Sequence, residues 1–368
     1  MSGAPDPGGA ADNGGDLAAY DFSLPEELVA QEPPPRRGDS RLLVLNRSTR
    51  TIEHRSFGEI DSFLGPGDVL VLNDTRVFPA RLRLRRPTGG KVEALLLEPC
   101  AGGGAWTALA RPLRLLKSAE PLAIDSPGGG AGVTVRSMGR DGERVILELT
   151  GEHGTLEPDE VIALLERVGE TPLPPYIRRS PAERRSSADR DRYQTVYARR
   201  TGAVAAPTAG FHFTEDILAR AVRKGARVET LTLHVGLGTF LPLTPESFAR
   251  PTLHRERVEI GEETCREVLG ARAGGRRVVA VGTTSARALE SLAATPRIPY
   301  EGETDLFIKP GHAFLAVDAL ITNFHLPRSS LLLLVSAFAG RELVLDAYQE
   351  AVRERYRFYS YGDAMLIL

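Results

Sequence analysis

The most constraining feature of this chain is a change of texture that happens twice. Residues 80–150 read as short strands cut by glycine- and proline-rich connections, whereas the chain on either side alternates apolar strands with helices. In the β-rich stretch the spacing predicts strands over Arg81–Arg85, 92–97, 106–110, 133–136 and 145–149. The connections between them are PTGG from Pro87, AGGG from Ala101, SPGGG from Ser126 and GRDG from Gly139. Evenly spaced short strands with such turns predict a small barrel or sandwich. A helical pattern over Pro158–Val168 closes the unit.

The flanking texture differs in kind. A strand over 68–72 is apolar enough from Val69 to Leu72 to be buried on both faces, and further strands are expected at 228–233, 277–281 and 316–321. One helix starts at Thr214 as N-cap, with Glu215 and Asp216 in its first turn, and ends before Gly225. Others are expected over 285–293 and 329–338, the last ending before Gly340. Alternating strands and helices predict an α/β, three-layer domain with a largely parallel sheet. Because that texture precedes and follows the β-rich stretch, a small β-barrel is expected to be inserted into it. The boundaries are 20–78 and 170–368 for the discontinuous α/β domain and 79–169 for the barrel. Residues 1–19, rich in Gly, Ala and Asp, are expected to be a disordered tail.

Composition narrows the class. Cys100 and Cys265 form no spaced pair, which excludes a Cys-based zinc site and a disulfide framework. The apolar run from Leu331 to Val335 is far shorter than a membrane span and reads as a short core helix. With no signal-peptide layout at the N-terminus, a cytoplasmic monomer without membrane contact is expected. The net charge of −2 argues against a generally basic nucleic-acid binder, yet residues 176–200 carry eight arginines against three acids. A second cluster comprises Arg81, Arg83, Arg85, Arg86 and Lys91. Solvated faces explain either run alone; two in a neutral chain point toward a phosphate-bearing partner.

Four loops hold the residues that chemistry would need: GAVAAPTAGFHF (202–213), HVGLGTF (234–240), GTTS (282–285) and TNFHLPRS (322–329). Each precedes or ends a regular element, and α/β folds place ligands beyond the carboxyl ends of their strands. GTTS opens a helix and suits a carboxylate or phosphate, although a simple helix cap would read the same. Any one of His212, His234 and His325 alone would more often be a satisfied core histidine. Together they suggest a polar, His-containing cleft. Dinucleotide, P-loop, zincin and hydrolase-elbow motifs are all absent.

At these loops the chain closely resembles the S-adenosylmethionine:tRNA ribosyltransferase-isomerase family of queuosine biosynthesis. The stretches that carry the resemblance begin with DFSLPEELVAQEP (21–33), SRLLVL (40–45), PGDVLVLNDTRVFPARL (66–82), TGGKVEALLLE (88–98) and PLPPYI (172–177). They continue with RYQTVYA (192–198), GAVAAPTAGFHFT (202–214), LTLHVGLGTF (231–240) and AVGTTSARALE (280–290). LFIKPG (306–311), ITNFHLPRSSLLLLVSAFAG (321–340) and YRFYSYGDAMLI (356–367) complete the set. The resemblance implies transfer of the ribosyl part of S-adenosylmethionine to the aminomethyl group of a 7-deazaguanine at the tRNA wobble position. The ribose rearranges to an epoxy-cyclopentanediol, giving epoxyqueuosine-tRNA, and adenine and methionine leave. S-adenosylmethionine is then a consumed substrate, with no cofactor and no metal. An α/β domain with an inserted β-barrel is implied as well.

Such a reaction needs a general base, hydrogen bonds to a leaving adenine, an anion site for methionine and a pocket for an unstacked base. Acid–base candidates are His212, His234, Glu256 and His325, with His254 behind them. Thr283, Thr284, Ser285 and Arg287 are candidates for the donor's anionic end, and Asn73, Asp74, Thr75 and Arg76 for donor or target base. Asn323 and Asp363 can hydrogen-bond base edges, Asp363 being equally explicable as a turn residue. Phe211, Phe213, Phe240 and Tyr361 can stack on rings. Arg81, Lys91, Arg178, Arg179 and Arg192 are candidates for the tRNA backbone.

Two departures matter. The family's Met-His-Ser-Glu motif stands here as Leu253-His-Arg-Glu256, which puts any role for that serine hydroxyl in doubt. Many relatives also run a few residues past the equivalent of Leu368, with no functional loss expected. Two rival readings come from other classes: a metal-dependent hydrolase with His212, His234 and His325 as ligands, and a non-catalytic RNA-binding protein.

Overall fold

A computed structural model describes residues 17–116, 120–126, 130, 132–180, 182–184, 186–236 and 243–368. The first strands are β1 (Arg41–Asn46), β2 (Thr51–Ser56), β3 (Val69–Asn73) and the short β4 (Thr75–Val77). The chain then makes β5 (Arg81–Arg85), β6 (Lys91–Pro99), β7 (Ala105–Arg111), β8 (Leu122–Ile124), β9 (Thr134–Asp141), β10 (Arg144–Gly151) and β11 (Gly154–Thr155). It returns through β12 (Arg200–Ala203), β13 (Arg227–Leu233), β14 (Thr252–Ile260), β15 (Val278–Val281), β16 (Tyr300–Leu306), β17 (Ala319–Asn323) and β18 (Ala364–Ile367).

Nine strands form one sheet in the order β16-β14-β13-β3-β15-β17-β18-β1-β2. Its middle, β13-β3-β15-β17, is parallel throughout. Antiparallel partners extend it on both sides, so the sheet as a whole is mixed. Side-chain alternation, period two along each strand, decides which residue faces which layer. Val69, Val71, Val278, Ala280, Leu320, Met365 and Ile367 enter one core. Their neighbours Leu70, Leu72, Val279, Val281, Ile321, Ala364 and Leu366 enter the other. Layers on both faces are why these strands read as unbroken apolar runs.

The first face is covered by α5 (Glu262–Ala273), α6 (Thr283–Ala294), α7 (Ser330–Ala339) and α8 (Arg341–Arg353). The second is covered by α3 (Glu215–Arg223) and short 3₁₀ turns at Phe57–Phe63 and Thr208–His212. Thr214 caps α3 as expected, its hydroxyl accepting from the Ile217 N–H at 3.1 Å. The short helices α2 (Ser187–Arg192) and α4 (Pro245–Ala249), with α5, α8 and strands β1, β2, β4, β8, β11, β12, β14, β16 and β18, come in addition to the elements expected from sequence. The expected strand at 316–321 is displaced to Ala319–Asn323 for a specific reason. The backbone N–H groups of Leu315, Ala316 and Val317 donate to the buried Glu290 carboxylate of α6 at 2.7, 2.9 and 3.0 Å, so they cannot join a sheet ladder.

Strands β5 to β10 close into a six-stranded barrel through the β9–β10 pairing, and β11 extends it. Leu82, Leu84, Val92, Ala94, Leu96, Val145, Leu147 and Leu149 alternate inward, and α1 (Pro158–Val168) plugs the core with Val161, Leu164 and Leu165. The chain enters and leaves this barrel side by side, Arg81 and Glu170 exchanging backbone hydrogen bonds at 3.2 and 2.9 Å. Gly169 is required there, since a Cβ would stand 1.9 Å from the Pro79 carbonyl oxygen. The expected tail also needs correction at its end. Leu17–Tyr20 forms a 3₁₀ turn that buries Tyr20 in the main core, while residues 1–16 lie outside the described residues. Among the described residues, no helix is long and apolar enough to cross a membrane.

Candidate active site

The parallel strands end on a cleft. β15 delivers Gly282, Thr283 and Thr284 to it, β17 delivers Thr322 to Leu326, and β13 delivers Val235. The 206–209 loop, Tyr176, and Tyr359 with Ser360 supply the remaining walls, together with Ser329 and Leu331 of the α7 start. Gly282, at φ +92°, turns β15 directly into α6, whose first turn therefore begins at the cleft without a side-chain cap. Ser285 is withdrawn: its hydroxyl donates to the Val281 carbonyl at 2.8 Å. No Asp, Glu, Lys or Arg is among the described lining residues.

Of the four expected acid–base residues, only His325 lines the cleft. Its Nε2 shares a 2.8 Å hydrogen bond with the Thr322 hydroxyl, and its backbone N–H donates to Tyr348 Oη at 3.0 Å. Burial pushes its pKa down to about 3, so the imidazole is neutral at physiological pH. His212 is also pushed down to about 3, by burial first and then by the nearby Arg357 and Arg37 charges. It lies under the floor, bonded to Ser40 Oγ at 2.8 Å and Asn323 Nδ2 at 3.1 Å, with its ring 5.0 Å from that of Phe57. His234 is half-buried, pairs with the Thr75 hydroxyl at 2.8 Å, and is lowered chiefly by desolvation. His254, on β14, is exposed.

Glu256 is buried against Arg287, and its other oxygen accepts from the Gly236 N–H at 2.9 Å. Arg287 donates to the Leu306 carbonyl at 2.9 Å and keeps Nη2 buried without a partner among the described residues. Neither side chain lines the cleft. Asn73 knits strands together: its amide bonds the Leu233 backbone at 2.9 and 3.0 Å and the Thr75 N–H at 3.1 Å. Asp74 accepts from the Thr232 hydroxyl at 2.6 Å and from Arg199 at 3.0 Å. Arg76 is exposed and faces a second cavity at the barrel junction, with Phe78, Pro79 and Gln194. Asp363 is a turn residue, accepting from the backbone N–H groups of Arg41 and Arg357 at 3.0 and 2.8 Å.

The rings expected to stack are core residues instead. Phe213 packs edge-on against Phe57 in the sheet core, and Phe211 and Tyr361 pack with Tyr193 in a satellite cluster. Phe240 lies outside the described residues. The aromatics that do line the cleft are Tyr176, Phe324 and Tyr359, the first and last with ring centroids 4.7 Å apart. Sequence reading missed Tyr176 and Tyr359 as site residues, together with Thr208, Thr322, Ser329 and Ser360. Thr208, Thr322 and Ser329 lay in the loops singled out from the sequence but were not picked from them, and the only signal for Tyr176, Tyr359 and Ser360 was membership of the family's motif stretches.

The basic clusters are largely paired. Arg81 donates to the Leu173 carbonyl at 2.8 Å and pairs with Glu93 at 3.3 Å. Arg83, Arg85 and Arg86 pair with Glu93 and Glu170, Asp125, and Glu120. Arg179 is buried in a two-pronged pair with Asp189 at 2.7 and 2.9 Å, which holds its guanidinium pKa above the usual value. Arg192 donates to the Pro34 carbonyl at 2.6 Å. Arg178 is exposed but faces the exposed Glu26, and Lys91 is exposed on the barrel.

A metal site on the three loop histidines has no geometry to stand on. Their ring nitrogens are bonded to different partners, and among the described residues no three His, Cys, Asp or Glu side chains group so as to hold an ion. Fold and cleft together define a class: an α/β protein with an inserted β-barrel and a cleft at the carboxyl edge of its sheet, mainly apolar in surface, with hydroxyls and one imidazole and no charged side chain among the described lining residues. The chain belongs to the queuosine biosynthesis protein family, whose model matches residues 17–367. It is 50% identical over 355 residues to the S-adenosylmethionine:tRNA ribosyltransferase-isomerase of Anaeromyxobacter sp. (strain Fw109-5), covering 95% of this chain and 98% of the relative. The protein of the same name from Rubrobacter xylanophilus is 52% identical over 350 residues, covering 95% and 96%. A crystal structure of S-adenosylmethionine tRNA ribosyltransferase from Thermotoga maritima is 38% identical with a TM-score of 0.53, covering 95% of this chain and all of that one.

Proposed function

We propose that this chain is a cytoplasmic tRNA-modifying enzyme that transfers and isomerises the ribosyl part of S-adenosylmethionine. The acceptor is the aminomethyl group of a 7-deazaguanine at the wobble position, the product is epoxyqueuosine-tRNA, and adenine and methionine leave. The observation that carries this reading is identity near one half along almost the whole of this chain and of relatives bearing that name.

The cleft suits the donor. Methionine's carboxylate fits the uncapped start of α6 beside Thr283 and Thr284, where backbone N–H groups and the helix dipole favour an anion. With no carboxylate among the described lining residues, the sulfonium is met by hydroxyls and by the faces of Tyr176, Phe324 and Tyr359. His325, neutral and at the wall, is the residue in place to accept a proton or to bond a ring nitrogen of adenine. The Thr208 hydroxyl oxygen can accept from a base edge, its proton being held by Asn323 Oδ1. The tRNA backbone is assigned to exposed cations such as Lys91 and Arg178 rather than to the buried Arg179.

The purified protein, given S-adenosylmethionine and tRNA carrying the aminomethyl-deazaguanine, should release adenine and methionine in equal amounts without added metal or nicotinamide. Release that stops with a chelator and returns with zinc, or no release at all, would overturn the proposal.

A further inference from the structure

Tyr359 stands on the cleft wall at φ +70°, a left-handed backbone that a bulky residue adopts only when its surroundings impose it. Its N–H donates to the Phe324 carbonyl at 3.1 Å, and its carbonyl accepts from the Gly362 N–H at 2.9 Å and from Asn323 Nδ2 at 3.2 Å. That carbonyl orients a whole chain of groups. A carbonyl can only accept, so Asn323 must turn Nδ2 toward it and Oδ1 toward the Thr208 hydroxyl, 2.9 Å away. The same Nδ2 faces His212 Nε2 at 3.1 Å, so Nε2 is the unprotonated nitrogen. Nδ1 then carries the proton and donates to Ser40 Oγ at 2.8 Å. His212 is 3% exposed and is not itself a lining residue of the cleft, which it meets only through Asn323.

We propose that His212 is a positioning residue: with Ser40 it locks the Asn323 amide, and through Asn323 it fixes Tyr359 and the Thr208 hydroxyl as the wall that receives a substrate's planar heteroaromatic ring. The inference rests on the ribosyl-transfer reading, in which two such rings occur, the adenine of the donor and the 7-deazaguanine of the acceptor. Both present the same chemistry to this wall, a flat ring with hydrogen-bonding edges.

The test compares His212→Ala with His212→Gln. A glutamine Oε1 can accept from Asn323 Nδ2 as Nε2 does, but it cannot titrate. Adenine release is measured per folded protein, and equilibrium dialysis measures binding of S-adenosylmethionine and of the modified tRNA separately. His212→Ala should weaken binding of one of the two by about tenfold, the substrate so affected being the one whose ring rests on the wall, and His212→Gln should restore most of it. A Gln variant as impaired as the Ala variant, or an Ala variant that binds both substrates as wild type does, would overturn the proposal. Wild-type protein that releases no adenine would instead sink the ribosyl-transfer reading, leaving the binding comparison to stand by itself. A fold-only control needs no activity. Tyr359→Gly and Tyr359→Ala both lose the ring, but glycine accepts positive φ, so the Gly variant should melt at the higher temperature. The reverse order would show that Asn323 holds no imposed backbone there.

Discussion

The outer face of the barrel and the carboxyl edge of the central sheet are both rich in polar residues, yet they use them oppositely. On the barrel, Arg83 and Arg85 stand on the outer side of β5, whose alternate residues fill the core, and each meets an acid on an adjoining segment, as does Arg86 just past the strand. An exposed pair such as Arg85–Asp125 contributes about 0–1 kcal/mol. At the sheet edge Asn73, Asp74, His212, His325 and Asn323 are nearly all inside, and every one is hydrogen-bonded. There a missing partner leaves a buried group unsatisfied, which costs about 1–3 kcal/mol. Exposed ion pairs thus mark the tolerant region, and buried hydrogen-bonded polar groups, Asp74 among them, mark the sensitive one.

The contrast should break most sharply in activity. Replacing His325 by Ala is expected to lower adenine release by about 10²- to 10⁴-fold if it moves a proton. Replacing Leu147 by Ala in the barrel core should cost about 2–5 kcal/mol of stability and leave donor binding intact. Single-turnover adenine release, with denaturant melts of both variants, measures the two effects side by side. Equal loss of donor binding in the barrel variant would erase the distinction between the regions.

A second comparison sits within one dipeptide. Arg179→Ala strands the buried Asp189 carboxylate and should cost about 3–5 kcal/mol, whereas Arg178→Ala removes an exposed pair and should cost about 0–1 kcal/mol. Chemical denaturation of the two single variants reads the difference. Only Arg178→Ala can then report on tRNA phosphate contacts, through a change in the salt dependence of binding.

The smallest effect per step is in pH. His212 and His325 have folded pKa values depressed to about 3, so the unfolded chain takes up protons below about 6.5 that the folded chain refuses. Stability is unaffected by them above that pH and falls as pH drops toward 3, by about 1.4 kcal/mol per unit for each. His212→Gln should remove one such contribution and flatten the acid limb of the stability curve; an unchanged limb would mean that His212 already titrates in the folded protein.

Much of the frame was legible before any coordinates. Val69–Asn73 and Val278–Val281 announce themselves because both faces are covered, and Leu82, Leu84, Val92 and Ala94 because only one is. Gly282 followed by hydroxyl residues marked a cleft edge because a strand must turn sharply there into a helix. Phe211 and Phe213 misled, because a ring in a motif loop reads the same whether it faces a ligand or a neighbouring loop, whereas Asp363 is the turn residue that its alternative reading made it. β14 and β16 went unseen because their exposed polar residues blur the pattern, and β18 because a buried run of four residues, Ala364–Ile367, is too short for periodicity to tell strand from helix.

The sequence by itself determined the two textures, their nesting, the loops that bear the cleft and the family, since each depends on local periodicity or on order along the chain. Tertiary structure alone decided which histidine meets the cleft. His212 and His325 stand in similar Phe-rich loops and reach similar pKa values, but only packing puts Ser40 and Asn323 around one and open space beside the other. It also decided that Tyr176 and Tyr359, far apart in the chain, would share a wall, because proximity between distant residues is created by sheet order and not by spacing.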